Sequence, residues 1–275
     1  MIDLHLHTTA SDGRATPREL VDLAVAAGLT VMAVTDHDTT ASVADVQVYA
    51  RTRGIEAIPG IEITAVLDGR DVHMLGYFMD PGDRAFQLFL TAQRLSRIAR
   101  LEAIGAKLAE LGVPVNIGAA LSLARLQSSI SVGRPQVARA LVAAGHAKDV
   151  RDAFDRWLGT GRPGFVSRVG PRPEAVIATV HEAGGLISLA HPGRTQIDEH
   201  IAALQAAGLD ALEVYHSDHD DATVQHYAAL VAQGGLLATG GSDFHADPSS
   251  SVRPGSVTLP RHLWERLLAA RSSVA

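Results

Sequence analysis

Asp3-Leu4-His5-Leu6-His7, followed at once by Ser11-Asp12-Gly13, is the stretch whose reading decides the fold. In a strand alternate side chains share a face, so His5 and His7 aim at one point with Asp3 beside them, while Leu4 and Leu6 face the opposite side. A pair of imidazoles at the start of a chain needs partners from elsewhere. The sequence supplies them at intervals: Asp12, Asp36-His37, Glu62, His73, His191 and Asp243-Phe244-His245.

Working outward, Thr16-Pro17-Arg18-Glu19 opens a helix with a capping box and a proline at its first position, and Gly28 closes it. Leu20, Leu23, Ala24 and Ala27 form its expected buried stripe. Val31 to Thr35 is an apolar run ending in Asp36-His37-Asp38-Thr39, which reads as a buried parallel strand with polar residues at its C-terminal mouth. A helix follows from about Ser42 to Arg53. Strands are expected at 55–58 and 61–66, around a turn at Pro59-Gly60, with Asp68-Gly69 as a hairpin turn into a partner strand at 72–77.

The alternation then breaks. Residues 81–164 are helix formers, with Arg94, Arg97 and Arg100 at intervals of three, and helices are expected at 135–144 and 150–158. Alternation resumes at 173–183 and continues through strands at 186–190, 211–215 and 236–240. The expected fold is therefore α/β: a TIM-like barrel formed by 1–80 and 165–275, incomplete or distorted at about seven strands, with 81–164 as a helical cap. Functional groups gather at the C-terminal ends of barrel strands, where such folds build their sites.

Composition narrows the chemistry. The 275 residues include no cysteine, so any metal must be held by imidazole and carboxylate. A net charge of -6 argues against a general coat for double-stranded DNA. Apolar runs fall short of membrane-spanning length and no leader precedes Ile2, so the expectation is a cytoplasmic protein with no membrane partner. Imidazoles and carboxylates at the ends of apolar strands are costly to desolvate unless paired or coordinated, which favours a metal site.

These residues resemble the successive motifs of the PHP (polymerase and histidinol phosphatase) family. The motifs are Asp3 to Thr8 with Ser11-Asp12-Gly13, Thr35 to Thr39, Pro59 to Glu62, His73 to Tyr77, Ala190-His191-Pro192 and Gly241 to His245. The helical insertion resembles the bacterial branch acting on nucleoside 3′,5′-bisphosphates and on short RNA from its 5′ end. The resemblance implies a distorted (β/α)7 barrel with two or three divalent ions, manganese, zinc or iron. One ion would be held by His5, His7, Glu62 and Asp243, a second by Glu62, His73 and His191, a third by Asp12, His37 and His245.

The activity implied is hydrolysis of phosphate esters of small nucleotides or short oligoribonucleotides, by hydroxide formed between cations that share Glu62. His216, Asp243 and His191 are the expected catalytic groups, with His216 orienting substrate or protonating the leaving oxygen. Arg97, Arg100, Arg134, Gln136 and His216 are expected to bind substrate. Asp36 and Asp38 are expected to support His37. Gln136 and Phe165 depart from the histidine and tyrosine usual in this branch. Histidinol-phosphate phosphatase, an amidohydrolase and an inactive metal- and nucleotide-binding module are the alternatives.

Overall fold

The computed structural model describes residues 1–271. Thr16 caps helix α1 (Pro17–Ala26), accepting from the Glu19 amide at 3.3 Å while Glu19 returns a carboxylate to the Thr16 amide at 2.8 Å. The buried face is Leu20, Val21 and Ala24, with Leu23 turned outward, a rotation of one position from the expected stripe.

Seven strands follow one another around the sheet in chain order: β1 (Ile2–Leu6), β2 (Val31–Val34), β3 (Glu56–Leu67), β4 (Arg70–Tyr77), β5 (Leu186–Leu189), β6 (Ala211–His216) and β7 (Leu237–Gly241). Pairing is parallel except where β4 runs against β3 and β5. The hairpin joining β3 to β4 turns at Asp68 and Gly69, both at positive φ, as a two-residue turn between right-twisted strands requires.

One expectation is corrected here. Pro59-Gly60 is no turn: β3 is a single strand through both residues. Pro59 closes the parallel ladder with β2, at Val34, and Gly60 opens the antiparallel ladder with β4, at Tyr77. The proline sits where partners change, and its carbonyl accepts from Phe78 at 3.0 Å. A Cβ on Gly60 would lie 2.7 Å from the Val34 carbonyl oxygen, so only glycine allows the approach.

Between β1 and β7 the sheet nearly closes on itself. Leu6 bridges Phe244, and the Asp3 carboxylate spans the seam to the Ser242 amide at 2.9 Å and hydroxyl at 2.6 Å. Burial raises the Asp3 pKa to about 6 against the pull of these donors.

Helices α2 (Val43–Thr52), α7 (Pro173–Glu182), α8 (Pro192–Thr195), α9 (Asp198–Ala206), α10 (Asp221–Gly234) and α11 (Arg261–Arg271) accompany the barrel. The segment between β4 and α7 contributes α3 (Arg84–Glu110), α4 (Gly118–Leu126), α5 (Arg134–Ala143) and α6 (Val150–Ala153), the last running on into one wide π-type turn at Phe154–Leu158. Leu101, Ile104, Leu108, Val137, Leu141 and Leu158 give this segment its own apolar cluster, whereas Phe86 and Leu90 at the start of α3 pack into the barrel's. Helix α3 thus begins on one core and ends in the other. No described helix is long and apolar enough to cross a membrane.

Candidate metal centre

The histidines of the mouth are delivered by strands around the barrel or the turns after them. His5 lies in β1 and His7 just beyond it, His37 follows β2, His73 lies in β4, His191 follows β5 and His216 ends β6. Together they form a closed belt of imidazoles, in the order His5, His7, His37, His73, His191, His216, with neighbouring ring centroids between 4.9 and 6.0 Å apart. His245, after β7, stacks on His7 at 4.1 Å.

Glu62 organises the belt by giving each carboxylate oxygen a separate set of nitrogens. Oε1 lies 2.7 Å from His73 Nδ1 and 3.1 Å from His191 Nε2. Oε2 lies 3.3 Å from His5 Nε2, 3.3 Å from His7 Nε2 and 3.1 Å from His37 Nδ1. A carboxylate divided in this way is placed to bridge two cations.

Asp243 completes the set with His5 and His7, 3.3 and 3.1 Å from its Oδ1. Donor atoms of His5, His7, Glu62 and Asp243 lie within 4.8 Å of one another, and so do those of His7, Asp12, His37 and His245. The latter adds His7 to the trio named from the sequence.

The donors fit divalent cations on independent grounds. Both nitrogens of His7 and Nδ1 of His37 and His73 are buried close to carboxylate oxygens but without hydrogen-bond geometry, a cost that coordination to a shared cation would remove. Burial opposes charge on His7, yet Asp243, Glu62 and Asp12 outweigh it and raise its pKa to about 10. Burial likewise opposes charge on Glu62, and His37, His73 and His5 hold it ionised nonetheless. The mouth therefore draws positive charge to itself. Asp38, His191 and Asp243 all have positive φ, which places backbone strain at the mouth.

Glu213 was not singled out in the sequence. It is fully buried on β6, with Oε1 2.8 Å from His5 Nδ1 and Oε2 accepting from the His191 amide at 2.7 Å. A carboxylate on the inward face of an otherwise apolar strand was the available signal.

A chamber of about 220 Å³ opens over the mouth, lined by His37, Glu62, His73, His191 and Asp243 on one side and by arginines on the other. Arg97, Arg100 and Arg134 are there, joined by Arg168, which sequence reasoning missed. They are buried or half-buried rather than spread on a solvated helix face, and two carboxylates hold them. Asp38 pairs with Arg97 at 2.5 Å and Arg168 at 2.9 Å, and Asp71 with Arg100 at 2.7 Å and Arg134 at 3.1 Å. These four guanidiniums against two carboxylates leave the wall cationic, and a fifth, Arg194 of α8, lines the chamber 3.7 Å from Asp243 Oδ2. Phe165 lies under Arg100, its ring centroid 5.7 Å from the guanidinium carbon.

Other expected residues are engaged elsewhere. Gln136 does not line the chamber: its Oε1 accepts from the Gly133 amide and its Nε2 donates to the Ser11 carbonyl. His216 is buried, Nδ1 accepting from the Asp218 amide at 3.0 Å, so Nε2 carries the proton toward Asp243 Oδ2 at 3.3 Å. Asp36 accepts from Thr8, Ser11 and Ser42 and so shapes the loop after β1. Asp38 serves the arginines rather than His37.

A nearly closed seven-stranded α/β barrel with an imidazole and carboxylate donor set at its mouth defines a metal-dependent hydrolase class. The PHP domain family model matches residues 3–124. The 3′,5′-nucleoside bisphosphate phosphatase of Chromobacterium violaceum is 36% identical over 277 residues, covering 98% of this chain and 96% of its own length. The 5′-3′ exoribonuclease Rnm of Escherichia coli is 35% identical over 250 residues, covering 88% of this chain and 84% of its own. Among solved structures, a Bifidobacterium adolescentis protein named as a metal-dependent phosphoesterase superimposes with a TM-score of 0.88 at 32% identity, over 98% of this chain and 95% of that one. The chain belongs to the PHP family.

Proposed function

We propose that this protein is a metal-dependent phosphoesterase acting on a nucleotide that carries a 5′-phosphate and a phosphoryl group on its 3′ oxygen. The division of Glu62 between two sets of imidazoles, facing a wall of arginines, is the observation that carries this reading. The names of the two relatives support it: a 3′,5′-bisphosphate carries a terminal phosphoryl group on its 3′ oxygen, and RNA degraded from its 5′ end carries a bridging one there.

His5, His7, Glu62 and Asp243 would hold one divalent ion, Glu62, His73 and His191 a second, and Asp12, His37 and His245, with His7, a third. Bound there, such ions lower the pKa of coordinated water toward neutrality and neutralise phosphoryl oxygens. The chain's own side chains do the rest. Arg100, Arg134 and Arg168 receive the 5′-phosphate, their planar forks suiting its oxygens. Arg97 is fixed by Asp38 and by Thr64 Oγ1 at 2.8 Å and adds charge behind them. His216 donates from Nε2 to Asp243 and orients it, a positioning role in place of the substrate orientation or leaving-oxygen protonation expected from sequence. His191 lines the chamber as a neutral ring, burial having lowered its pKa to about 4.

The cationic wall disfavours histidinol phosphate, whose amine would meet like charge. An amidohydrolase using a barrel lysine as its metal bridge is also disfavoured: the only lysines are Lys107 and Lys148, and the Lys107 amine donates to the Phe165 carbonyl. The test is metal analysis of the purified protein with a hydrolysis screen in manganese. A 3′,5′-bisphosphate and a short 5′-phosphorylated RNA should turn over at least tenfold faster than a 5′-monophosphate or histidinol phosphate, about 1.4 kcal/mol of discrimination. Equal rates on all four would remove the nucleotide assignment.

A further inference from the structure

A second cavity, also of about 220 Å³, opens on the same residues. It shares Asp12, Pro135, Asp243 and His245 with the first chamber as a common wall and is otherwise lined by different side chains. Arg14 and Arg139 face it, and Pro135, Val150 and Val252 supply an apolar side. The Arg14 amide donates to the His245 carbonyl at 2.9 Å, and Arg139 donates from both Nη atoms to the Asp12 carbonyl at 3.2 Å, so both arginines are anchored to the metal-holding loops. The Arg14 side chain makes no hydrogen bond or ion pair among the described residues. Asp247, the remaining acid in the lining, accepts from the Ser249 amide and hydroxyl. With Asp12 and Asp243 committed to cations, two guanidiniums face one carboxylate, and the chamber favours an anion with an apolar body.

The phosphorus to be attacked lies at the shared wall, which fixes what that anion is. With the 5′-phosphate among Arg100, Arg134 and Arg168, the leaving group is the 3′ oxygen of the nucleotide in the first chamber. Water adds to phosphorus, the P–O3′ bond breaks, and the 3′ oxygen takes a proton. The phosphoryl group stays on the other side of the broken bond. In a 3′,5′-bisphosphate nothing further is attached to it, and it departs as inorganic phosphate. In a diester it carries the rest of the strand.

We infer that the Arg14–Arg139 chamber binds the nucleotide 3′ of the scissile phosphate and so sets how well a diester is cleaved relative to a terminal monoester. This rests on the functional reading above. Each diester cleavage leaves a new 5′-phosphate on the shortened strand, the group that the first chamber requires for the next turn.

The experiment compares kcat/KM for a 5′-phosphorylated dinucleotide with that for the 3′,5′-bisphosphate, in the wild type, in Arg14→Glu and in Val252→Trp. Charge reversal and filling should each lower the diester-to-monoester ratio about tenfold, a loss of roughly 1.4 kcal/mol in binding the strand. The ratio is insensitive to a general loss of folded enzyme. A ratio unmoved in both variants would overturn the inference, and so would release of a 3′-phosphorylated nucleotide from the wild-type reaction. A wild type active on the bisphosphate with an unmoved ratio leaves the phosphatase reading standing, whereas one active on neither substrate overturns both.

Discussion

A carboxylate that accepts from two donors has no neutral isostere, and Glu213 is in that position. His5 Nδ1 and the His191 amide both present protons to it, while an amide side chain has one accepting oxygen and one donating nitrogen. In Glu213→Gln, turning the oxygen to His5 sets NH2 against the His191 N–H. Turning the nitrogen to His5 forces the ring proton onto Nε2, the atom proposed to face the cation. Either way a ligand is disturbed with almost no change in volume. Glu213→Gln should therefore keep its circular dichroism and metal-free melting temperature while losing about 10- to 100-fold in manganese affinity by calorimetric titration. Unchanged affinity would reduce Glu213 to a filler of the β6 core.

At the scale of elements, the arginine wall depends on Asp38, the residue after His37, where three segments meet. Arg97 comes from α3, Arg168 from the return to the barrel, and the Asp38 carboxylate also accepts from the Thr64 amide of β3 at 3.0 Å. Burial opposes its charge, but Arg97 and Arg168 hold its pKa well below the usual carboxylate range. Asp38→Asn leaves two buried guanidiniums without their counter-charge, and removing one member of such a pair costs about 3–5 kcal/mol. Denaturant unfolding should show that loss. A cost below about 1 kcal/mol would mean that the arginines had found other partners and that the wall is not built on Asp38. None of this was legible from the arginines' three-residue spacing, which is common to buried and solvated faces. Asp38 read equally well as support for His37, and Arg168 stood in no periodic pattern at all.

For the whole molecule, the barrel and the convergence of distant imidazoles and carboxylates were legible because apolar runs ended in polar residues that only a common mouth could reconcile. The strand through Pro59-Gly60 was not, since local turn chemistry there yields to a change of pairing partner, which is a tertiary event. The same division bears on stability. Separate apolar clusters hold the barrel and the insertion, each formed by apolar side chains packed on one another. Removing cations should therefore leave a folded chain, with the belt of imidazoles relying on protons and internal carboxylates for compensation. Cations that bind only the folded state add stability by mass action, about 2.7 kcal/mol for one site at a hundredfold excess over Kd. For a chain of this size that corresponds to roughly 5–10 °C in melting temperature. Calorimetric scans after chelation and after manganese is returned should differ by at least that much, and the chelated protein should still unfold cooperatively. A chelated chain with no transition would show that cations are part of the core, and coincident transitions would show that the mouth holds none.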